Sequence, residues 1–160
     1  MKAITLLAIL SIVGSCYAAL PIFTCKSTNS TDLKVNEISL SNSTWTCEKY
    51  PCVVYKGLNV SITISFENVG ATDITTLTND VYIIFGLPIP YPKFPPEIKN
   101  VCSLGDSSSS CPIKKGDKFT EKVIVPILDT AISAIRVVVK WQLVNGSSVE
   151  GCFEVQLEIM

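Results

Sequence analysis

Apolar and polar residues alternate along much of the chain, and this period of two is typical of β-strands with one buried and one solvated face. The alternation is strongest in three segments, residues 58–66, 135–143 and 153–159. It is weaker in three others, residues 33–40, 82–85 and 119–125. In the first of these the phase changes at Asn36 and Glu37, which predicts a β-bulge. Asn145-Gly146, between the last two strong segments, indicates a hairpin turn.

The number of predicted strands favours an all-β fold. No window of the sequence shows a sustained helical period. Six or seven strands separated by turn residues are typical of an antiparallel β-sandwich of two sheets. Neither an internal repeat nor a linker divides the chain. We therefore predict a single β-sandwich domain over residues 19–160.

Residues 1–18 have the layout of a secretory signal peptide. Lys2 is followed by an apolar run from Ile4 to Val13, and small residues lead to a cleavage site after Ala18. The run is shorter than the roughly 20 apolar residues that a transmembrane helix needs. A lipoprotein signal ending at Cys16 is the alternative, but the glycosylation motifs described below argue against it. We predict secretion, either to the extracellular space or to the endosomal or lysosomal lumen.

The composition excludes several classes of function. Of the 160 residues, 48% are hydrophobic and 17% are charged, which is too apolar for a disordered chain. The 13 Lys and Arg residues nearly balance the 14 Asp and Glu residues, so no basic field attracts nucleic acid. The absence of histidine removes imidazole-based catalysis and His-ligated metal sites. We therefore expect no enzymatic activity, no metal site and no cofactor.

Cysteine is over-represented for so short a chain. Six cysteines remain after removal of the signal peptide: Cys25, Cys47, Cys52, Cys102, Cys111 and Cys152. In an oxidising compartment this number indicates three disulfides. Short separations suggest that the second cysteine pairs with the third and the fourth with the fifth. Elimination then pairs the first with the sixth, although other connectivities remain open. A zinc site is the competing interpretation, but the spacings are unusual for zinc.

Four Asn-x-Ser/Thr sequons are also consistent with the secretory route. They lie at Asn29, Asn42, Asn59 and Asn145. Because the pattern also occurs by chance, we expect one or two of these sites to be glycosylated. Asn42 and Asn145 are the best placed, since turn residues surround them.

Residues 86–96 interleave prolines with large apolar residues, which gives this segment a stiff, extended backbone. Two interpretations are open. The segment is either a loop that caps one end of the sandwich or a rigid hydrophobic lip beside a ligand entrance. The second interpretation fits a carrier of hydrophobic ligands, because a small apolar sandwich can hold a lipid between its sheets without polar chemistry.

Several segments resemble the Niemann-Pick type C2 protein family, which also includes the group 2 mite allergens. Residues 82–92 contain Gly-Leu-Pro-Ile-Pro-Tyr-Pro, which resembles the family signature G-[VL]-P-[VI]-P-[FY]-P. Residues 111–113 resemble its Cys-Pro-[IL] motif, and residues 137–154 resemble its V-x-W-x-L…C-[WF]-E ending. The resemblance covers about residues 20–160, and the arthropod branch of the family fits at least as well as the vertebrate branch.

The resemblance implies an immunoglobulin-like fold for the β-sandwich, with an apolar cavity between the sheets. It implies three disulfides, Cys25–Cys152, Cys47–Cys52 and Cys102–Cys111. It also implies that the cavity holds a sterol or another lipid and that the protein has no catalytic activity.

Six residues are predicted to contact the ligand: Ile89, Tyr91, Phe94, Ile127, Ile64 and Phe66. Ile89, Tyr91 and Ile127 are carried over from the family motifs that this sequence resembles. Phe94 is added from the proline-rich segment, and the last two from the inward face of the strand over residues 58–66. Trp141 is expected to be structural rather than ligand-contacting.

We therefore predict a secreted, non-enzymatic carrier that binds a sterol, a fatty acid or a similar hydrophobic molecule and transports it. We expect a monomer that delivers its ligand to a transient membrane or membrane-protein acceptor and does not bind nucleic acid. Two alternatives use the same kind of cavity. One is an innate-immune sensor that presents a lipid to a receptor, and the other is an activator that presents a glycolipid to a hydrolase.

Overall fold

Two β-sheets account for most of the ordered backbone in a computed structural model of the chain. The structure describes residues 23–25, 32–41, 45–47, 50–92, 94–104 and 110–160, and the predicted signal peptide and the sequons at Asn29 and Asn42 lie outside these ranges. The strands within them are β1 (Phe23–Thr24), β2 (Leu33–Ser41), β3 (Trp45–Thr46), β4 (Cys52–Val54), β5 (Asn59–Asn68), β6 (Thr78–Phe85), β7 (Leu87–Pro90), β8 (Lys118–Pro126), β9 (Ile135–Asn145) and β10 (Ser148–Ile159).

Short helical turns supplement the strands. Two single 3₁₀ turns lie between β7 and β8, at Pro96–Ile98 and Val101–Ser103. Within the described ranges, no helix has the length and apolar character needed to cross a membrane.

The larger sheet has the strand order β3-β4-β10-β9-β6-β7, and β1 also pairs with β10. The smaller sheet has the order β2-β5-β8. This two-sheet, all-β architecture confirms the predicted β-sandwich. One pair departs from the predicted antiparallel arrangement, because β4 runs parallel to β10. Most of the chain separates these two strands, so no tight hairpin forces them to be antiparallel.

All six strands predicted from alternation are present, with shifted ends. The predicted bulge in β2 is confirmed, since its register against β5 shifts between Val35 and Glu37. The hairpin turn is confirmed as well: Asn145 pairs with Ser148, and Gly146 has a φ of 61°, which glycine adopts readily. The strands β1, β3, β4 and β7 were not predicted, because two to four residues are too few to show a period and β7 is rich in proline.

The three disulfides are those that the family resemblance implies. Cys25–Cys152 joins residues 127 positions apart and fastens the end of β1 to β10. Cys47–Cys52 spans 5 positions between β3 and β4, and Cys102–Cys111 spans 9 positions. Only the first of these pairs closes a loop that contains most of the domain.

We expect the long-range disulfide to contribute the most to stability. In the chain-entropy account, a loop of this length contributes about 5 kcal/mol and a loop as short as Cys47–Cys52 about 2 kcal/mol. The double variant Cys25→Ala/Cys152→Ala should therefore lose more unfolding free energy in urea than Cys47→Ala/Cys52→Ala. Paired substitutions leave no free thiol in either variant. Equal losses would contradict the entropic explanation.

A series of buried polar side chains joined by hydrogen bonds, here called the buried polar chain, connects the two sheets. Asn79 on β6 donates from Nδ2 to Oε1 of Glu121 on β8 and to the carbonyl oxygen of Ile98, the latter at 2.9 Å. Trp141 on β9 donates from Nε1 to Oδ1 of Asn79 at 2.6 Å. Glu121 and Asn79 are both fully enclosed. Burial raises the pKa of the Glu121 carboxyl from its ordinary 4.5 to about 7, although the hydrogen bond from Asn79 partly opposes this rise.

Glu121 should make the fold more stable in acid than at neutral pH. Between about pH 4.5 and 7, the carboxyl ionises in the unfolded chain but stays protonated in the folded one. The unfolding free energy therefore falls as the pH rises through this window, by up to about 3 kcal/mol, and this contribution levels off above it. Urea denaturation between pH 4 and 8 measures the profile. The variant Glu121→Gln should lack this component, and equal slopes in both proteins would refute the assignment.

Candidate binding cavity

One end of the sandwich opens into an apolar cavity of about 300 Å³, here called the outer cavity. The large sheet contributes inward-facing residues of β9 and β10 to its wall, among them Val137, Val139 and Leu157. The segment after β8 contributes Ile127 and Ile132. None of the described residues that line it is charged. The outer cavity therefore suits hydrocarbon but offers no counter-ion to a charge carried into it.

A smaller space of about 60 Å³, here called the inner cavity, lies deeper between the sheets. Tyr91, Ile127 and Val139 border both spaces, so the two cavities are neighbours. The inner cavity has walls from both sheets, with Ile38, Ile62 and Val125 on one side and Trp141, Phe153 and Val155 on the other. The outer and inner cavities together form an apolar path from the surface into the core.

The choice of inward-facing side chains explains why space remains at this end. Val125 and Val139 face the cavities, and such short β-branched side chains leave the gap between the sheets partly unfilled. Towards the other end of the same β5–β8 pair, the facing residues are Phe66 and Phe119, whose ring centroids lie 4.9 Å apart. The two phenylalanine rings of the small sheet thus fill the gap between the sheets at one end, whereas the shorter Val125 and Val139 leave part of it unfilled at the other.

The proline-rich segment, residues 86–96, forms one side of the opening of the outer cavity, here called the mouth. Gly86, with a φ of 78°, makes the turn from β6 to β7, a conformation that favours glycine. β7 lies at the edge of the large sheet and pairs with β6, with Ile89 opposite Ile83. Pro88 and Pro90 lack an N–H to donate, which an edge strand tolerates. The segment is therefore an ordered strand, and Ile89 on it lines the outer cavity.

Tyr91 links the two sheets at the mouth. Its backbone N–H donates to the carbonyl oxygen of Val81 at 2.8 Å, which holds it against β6 of the large sheet. Its Oη donates to the carbonyl oxygen of Pro126, at the end of β8 in the small sheet. Burial raises the pKa of the Tyr91 hydroxyl above its ordinary 10.0, so the group remains a hydrogen-bond donor at physiological pH.

Large apolar side chains are exposed around the mouth. The exposed fractions are 62% for Phe85, 75% for Leu87, 53% for Ile89 and 69% for Ile132. Phe85, Ile89 and Ile132 also line the outer cavity. These four residues, here called the apolar rim, place hydrophobic surface in solvent around the opening of the outer cavity.

The structure brings three of the six predicted ligand-contacting residues together and places the other three away from the cavities. Ile89, Tyr91 and Ile127 meet at the outer cavity. Ile64 and Phe66 face inward on β5 but lie beyond the inner cavity, in the packed part of the core. Phe94 lies against Trp141, with its ring centroid at 5.7 Å, and does not line either cavity.

Several lining residues were missed in the sequence. Val139 and Leu157 are among the alternating apolar residues of predicted strands, so the sequence predicted that their side chains face the core. The alternation does not predict which end of the sandwich they occupy. Thr130 and Ile132 lie between β8 and β9, where no periodicity marks them.

Two of the four sequons lie within the described residues. Asn59 is exposed at the start of β5. Asn145 lies at the β9–β10 hairpin, where its Oδ1 accepts a hydrogen bond from Thr76 Oγ1 at 2.6 Å. Glycosylation at either position remains a prediction.

The cavity walls offer little polar chemistry. Their side chains carry few polar atoms, chiefly the hydroxyl groups of Tyr91 and Thr130. Among the residues that the structure describes, no three acidic or cysteine side chains cluster in a way that could hold a metal ion. The geometry provides an apolar volume that opens to solvent at one end.

Comparison with known proteins agrees with this geometry. The family model described as the ML domain matches residues 19–159. A Niemann-Pick type C2 protein from the Japanese carpenter ant has a similar fold, with a TM-score of 0.71 and 18% sequence identity. The match covers 88% of this chain and 100% of the ant protein. At this identity, the likeness to the ant protein shows the shared fold alone.

Two further solved structures are much less similar. A CARDB domain from Pyrococcus furiosus is 10% identical, over 83% of this chain and 91% of its own, with a TM-score of 0.44. An alkylpurine DNA glycosylase from Pseudomonas fluorescens is 15% identical, over 81% of this chain and 31% of its own, with a TM-score of 0.46. With TM-scores below 0.5, neither structure shows a shared fold with this chain. No curated protein sequence matches the chain.

The match to the ML domain covers nearly all of the chain. It agrees with the sandwich, the three disulfides and the cavity between the sheets. The chain belongs to the ML domain family, a family of lipid-binding, non-enzymatic proteins that includes the Niemann-Pick type C2 proteins and the mite allergens.

Proposed function

We propose that the protein is a secreted carrier that holds a sterol, a fatty acid or a similar hydrophobic molecule between its sheets and transports it. The observation that carries this proposal is the apolar path formed by the outer and inner cavities, whose described lining residues are uncharged. A path of this kind removes hydrocarbon from water without requiring a polar partner.

The expected strength of binding supports a carrier. Enclosing about 300 Å² of apolar ligand surface contributes about 7–8 kcal/mol at 25 cal/mol per Å². Costs of association reduce this value. A micromolar dissociation constant corresponds to about 8 kcal/mol, so a ligand reaches it by burying correspondingly more than about 300 Å² of apolar surface, and an affinity in this range allows both loading and release.

The polar end of the ligand belongs at the mouth. No cation lines the described wall, so a carboxylate carried inside would lose its hydration without gaining a partner. The hydroxyl of Thr130 and the surrounding water lie at the open end. A sterol hydroxyl or a fatty-acid carboxylate is therefore expected to stay there, while the hydrocarbon points inward.

The apolar rim supports delivery to a membrane or to a membrane-protein acceptor. Phe85, Leu87 and Ile132 are exposed beside the mouth, where contact with an acceptor would shield both rim and ligand from water. The two alternative functions use the same cavity but need a receptor or a hydrolase. Transfer of lipid between vesicles by the purified protein alone favours the carrier.

We predict saturable binding of a fluorescent sterol, dehydroergosterol, or of a fluorescent fatty acid, cis-parinaric acid. The dissociation constant should be micromolar or lower for at least one of them, for the energetic reason given above. Fluorescence titration of the purified protein measures it. If no sterol, fatty acid or long-chain alcohol binds saturably, the carrier proposal fails.

The mouth should govern affinity while the core governs stability. Tyr91→Ala removes both the ring and the link to Pro126, and should weaken lipid binding by about 1–3 kcal/mol with a small effect on the melting temperature. Phe66→Ala truncates a buried ring that lines neither cavity, and should cost about 3–5 kcal/mol of unfolding free energy with little effect on lipid binding. Lipid titrations and melting curves of both variants separate the two roles.

A charge at the mouth should discriminate between ligand types. Ile89→Asp places a carboxylate on the wall of the outer cavity and should weaken the binding of fatty-acid anions more than that of neutral sterols. Ile124→Asp is the matched control, since Ile124 on β8 is exposed to nearly the same degree as Ile89 but lines neither the outer nor the inner cavity. Equal effects of the two variants on both ligands would place the entrance elsewhere.

A further inference from the structure

The buried polar chain that joins the sheets ends on the wall of the inner cavity. The ring of Trp141 borders this cavity, while its Nε1 donates to Asn79. Phe153 stacks on the same ring, with centroids 5.9 Å apart, and Phe94 meets it edge-on at 5.7 Å. Phe153 therefore packs against one face of the indole and Phe94 contacts it in a T-shaped arrangement, while the hydrogen bond to Asn79 fixes its orientation. The position of this wall therefore depends on Asn79.

Glu121 lies immediately beyond the closed end of the inner cavity. Along the β5–β8 pair, Ile62 faces Val123 and the next inward pair is Ile64 with Glu121. Ile62 lines the inner cavity, so Glu121 is one inward position deeper. Its Oε1 accepts from Asn79, whereas its Oε2 is enclosed and has no hydrogen-bond partner. A negative charge on this carboxyl would therefore be poorly solvated.

The other charged residues on the elements packed around Glu121 are exposed or half-buried, with the exception of Glu150 on β10. On β6, Asp80 pairs with Lys99 at the surface, at 3.9 Å. On β5, Glu67 pairs with Lys118 of β8, also at 3.9 Å, and Lys122 of β8 is exposed. On β9 and β10, the charged residues Arg136, Lys140, Glu150, Glu154 and Glu158 include one other buried carboxyl, Glu150. Burial, and not a neighbouring charge, is the main cause of the raised pKa of Glu121.

We propose that Asn79 and Glu121 are positioning residues of the lipid cavity and that they couple ligand binding to uptake of a proton by Glu121, so that hydrophobic ligands bind more tightly in acidic than in neutral solution. This inference rests on the proposed carrier function. It adds a role for two residues that do not line the cavities themselves.

The coupling follows from the polarity of the inner cavity. A hydrocarbon chain next to Trp141 excludes water from the space beside the polar chain and makes a charge on Glu121 still less favourable. Ligand binding therefore favours the protonated carboxyl. Because linkage is reciprocal, protonation strengthens ligand binding by the same factor. The effect appears where Glu121 is ionised in the free protein and protonated in the complex.

The test uses a neutral ligand, so that only the protein titrates. Dehydroergosterol, and a fluorescent long-chain alcohol as a second probe, are titrated from pH 5 to pH 8 into the wild type, Glu121→Gln and Glu67→Gln. Couplings of this kind typically change affinity by five-fold or more. We expect affinity in the wild type and in Glu67→Gln to fall by about tenfold over this range. Glu121→Gln should bind with the same affinity at every pH, near the acidic value of the wild type.

Three measurements do not depend on the folding of Glu121→Gln. Calorimetry of the wild type near neutral pH, in buffers with different ionisation enthalpies, should show proton uptake on binding. Trp141→Phe keeps a ring but loses the donor to Asn79, and should flatten the pH profile. In a Trp45→Phe background, Trp141 is the single tryptophan, and its emission should shift with pH in step with affinity.

The outcomes separate this inference from the proposed function. Lipid binding whose pH dependence survives in Glu121→Gln, or that takes up no proton in the wild type, overturns the coupling and leaves the carrier intact. Absence of saturable binding at every pH overturns both. A flat profile in Glu121→Gln, beside a sloping one in Glu67→Gln, supports the coupling.

Discussion

The volume and shape of both cavities depend on the spacing between the two sheets. Hydrophobic packing alone would draw the sheets together, because apolar contacts have no preferred direction. Among the described residues, directional side-chain hydrogen bonds cross between the sheets on each side of the cavities. Tyr91 Oη bonds to the Pro126 carbonyl oxygen at the mouth, and Asn79 bonds to Glu121 at the closed end. Such bonds are lost on collapse or separation, so they specify a gap of defined width.

The disulfides and the edge strand β7 help to maintain this spacing between the sheets. Cys25–Cys152 ties the start of the described chain to the longest strand of the large sheet. On the opposite edge, the prolines of β7 limit the backbone freedom of the strand that carries Ile89 to the mouth. A stiff strand limits the ways in which the mouth beside it can collapse. Preorganisation of this kind reduces the cost of binding.

The sequence specified the faces of the strands better than the depth of the cavity. Alternation correctly assigned Val60, Ile62, Ile64 and Phe66 to the inward face of β5, but of these four only Val60 and Ile62 line a cavity. Where the cavity ends along a strand depends on side-chain volumes contributed by the other sheet, which a period of two does not encode. Ile132 was missed because the segment that carries it has no period. The family signature located Ile89 and Tyr91 because proline fixes the backbone locally.

Glu121 shows the same limit of sequence-based prediction for a buried polar residue. It occupies an inward position between Phe119 and Val123, so the sequence alone marks it as a charge placed in a core. Its partner Asn79 is 42 residues away, and only the fold shows that the two meet. An apolar residue would fill the position with less desolvation cost, since buried charges seldom stabilise a fold by themselves. Retaining an ionisable group at the closed end of a lipid cavity gives the protein a response to pH that an all-apolar core lacks. The cost in stability at neutral pH and the preference for ligand in acid then have one physical origin, the poor solvation of a single carboxylate.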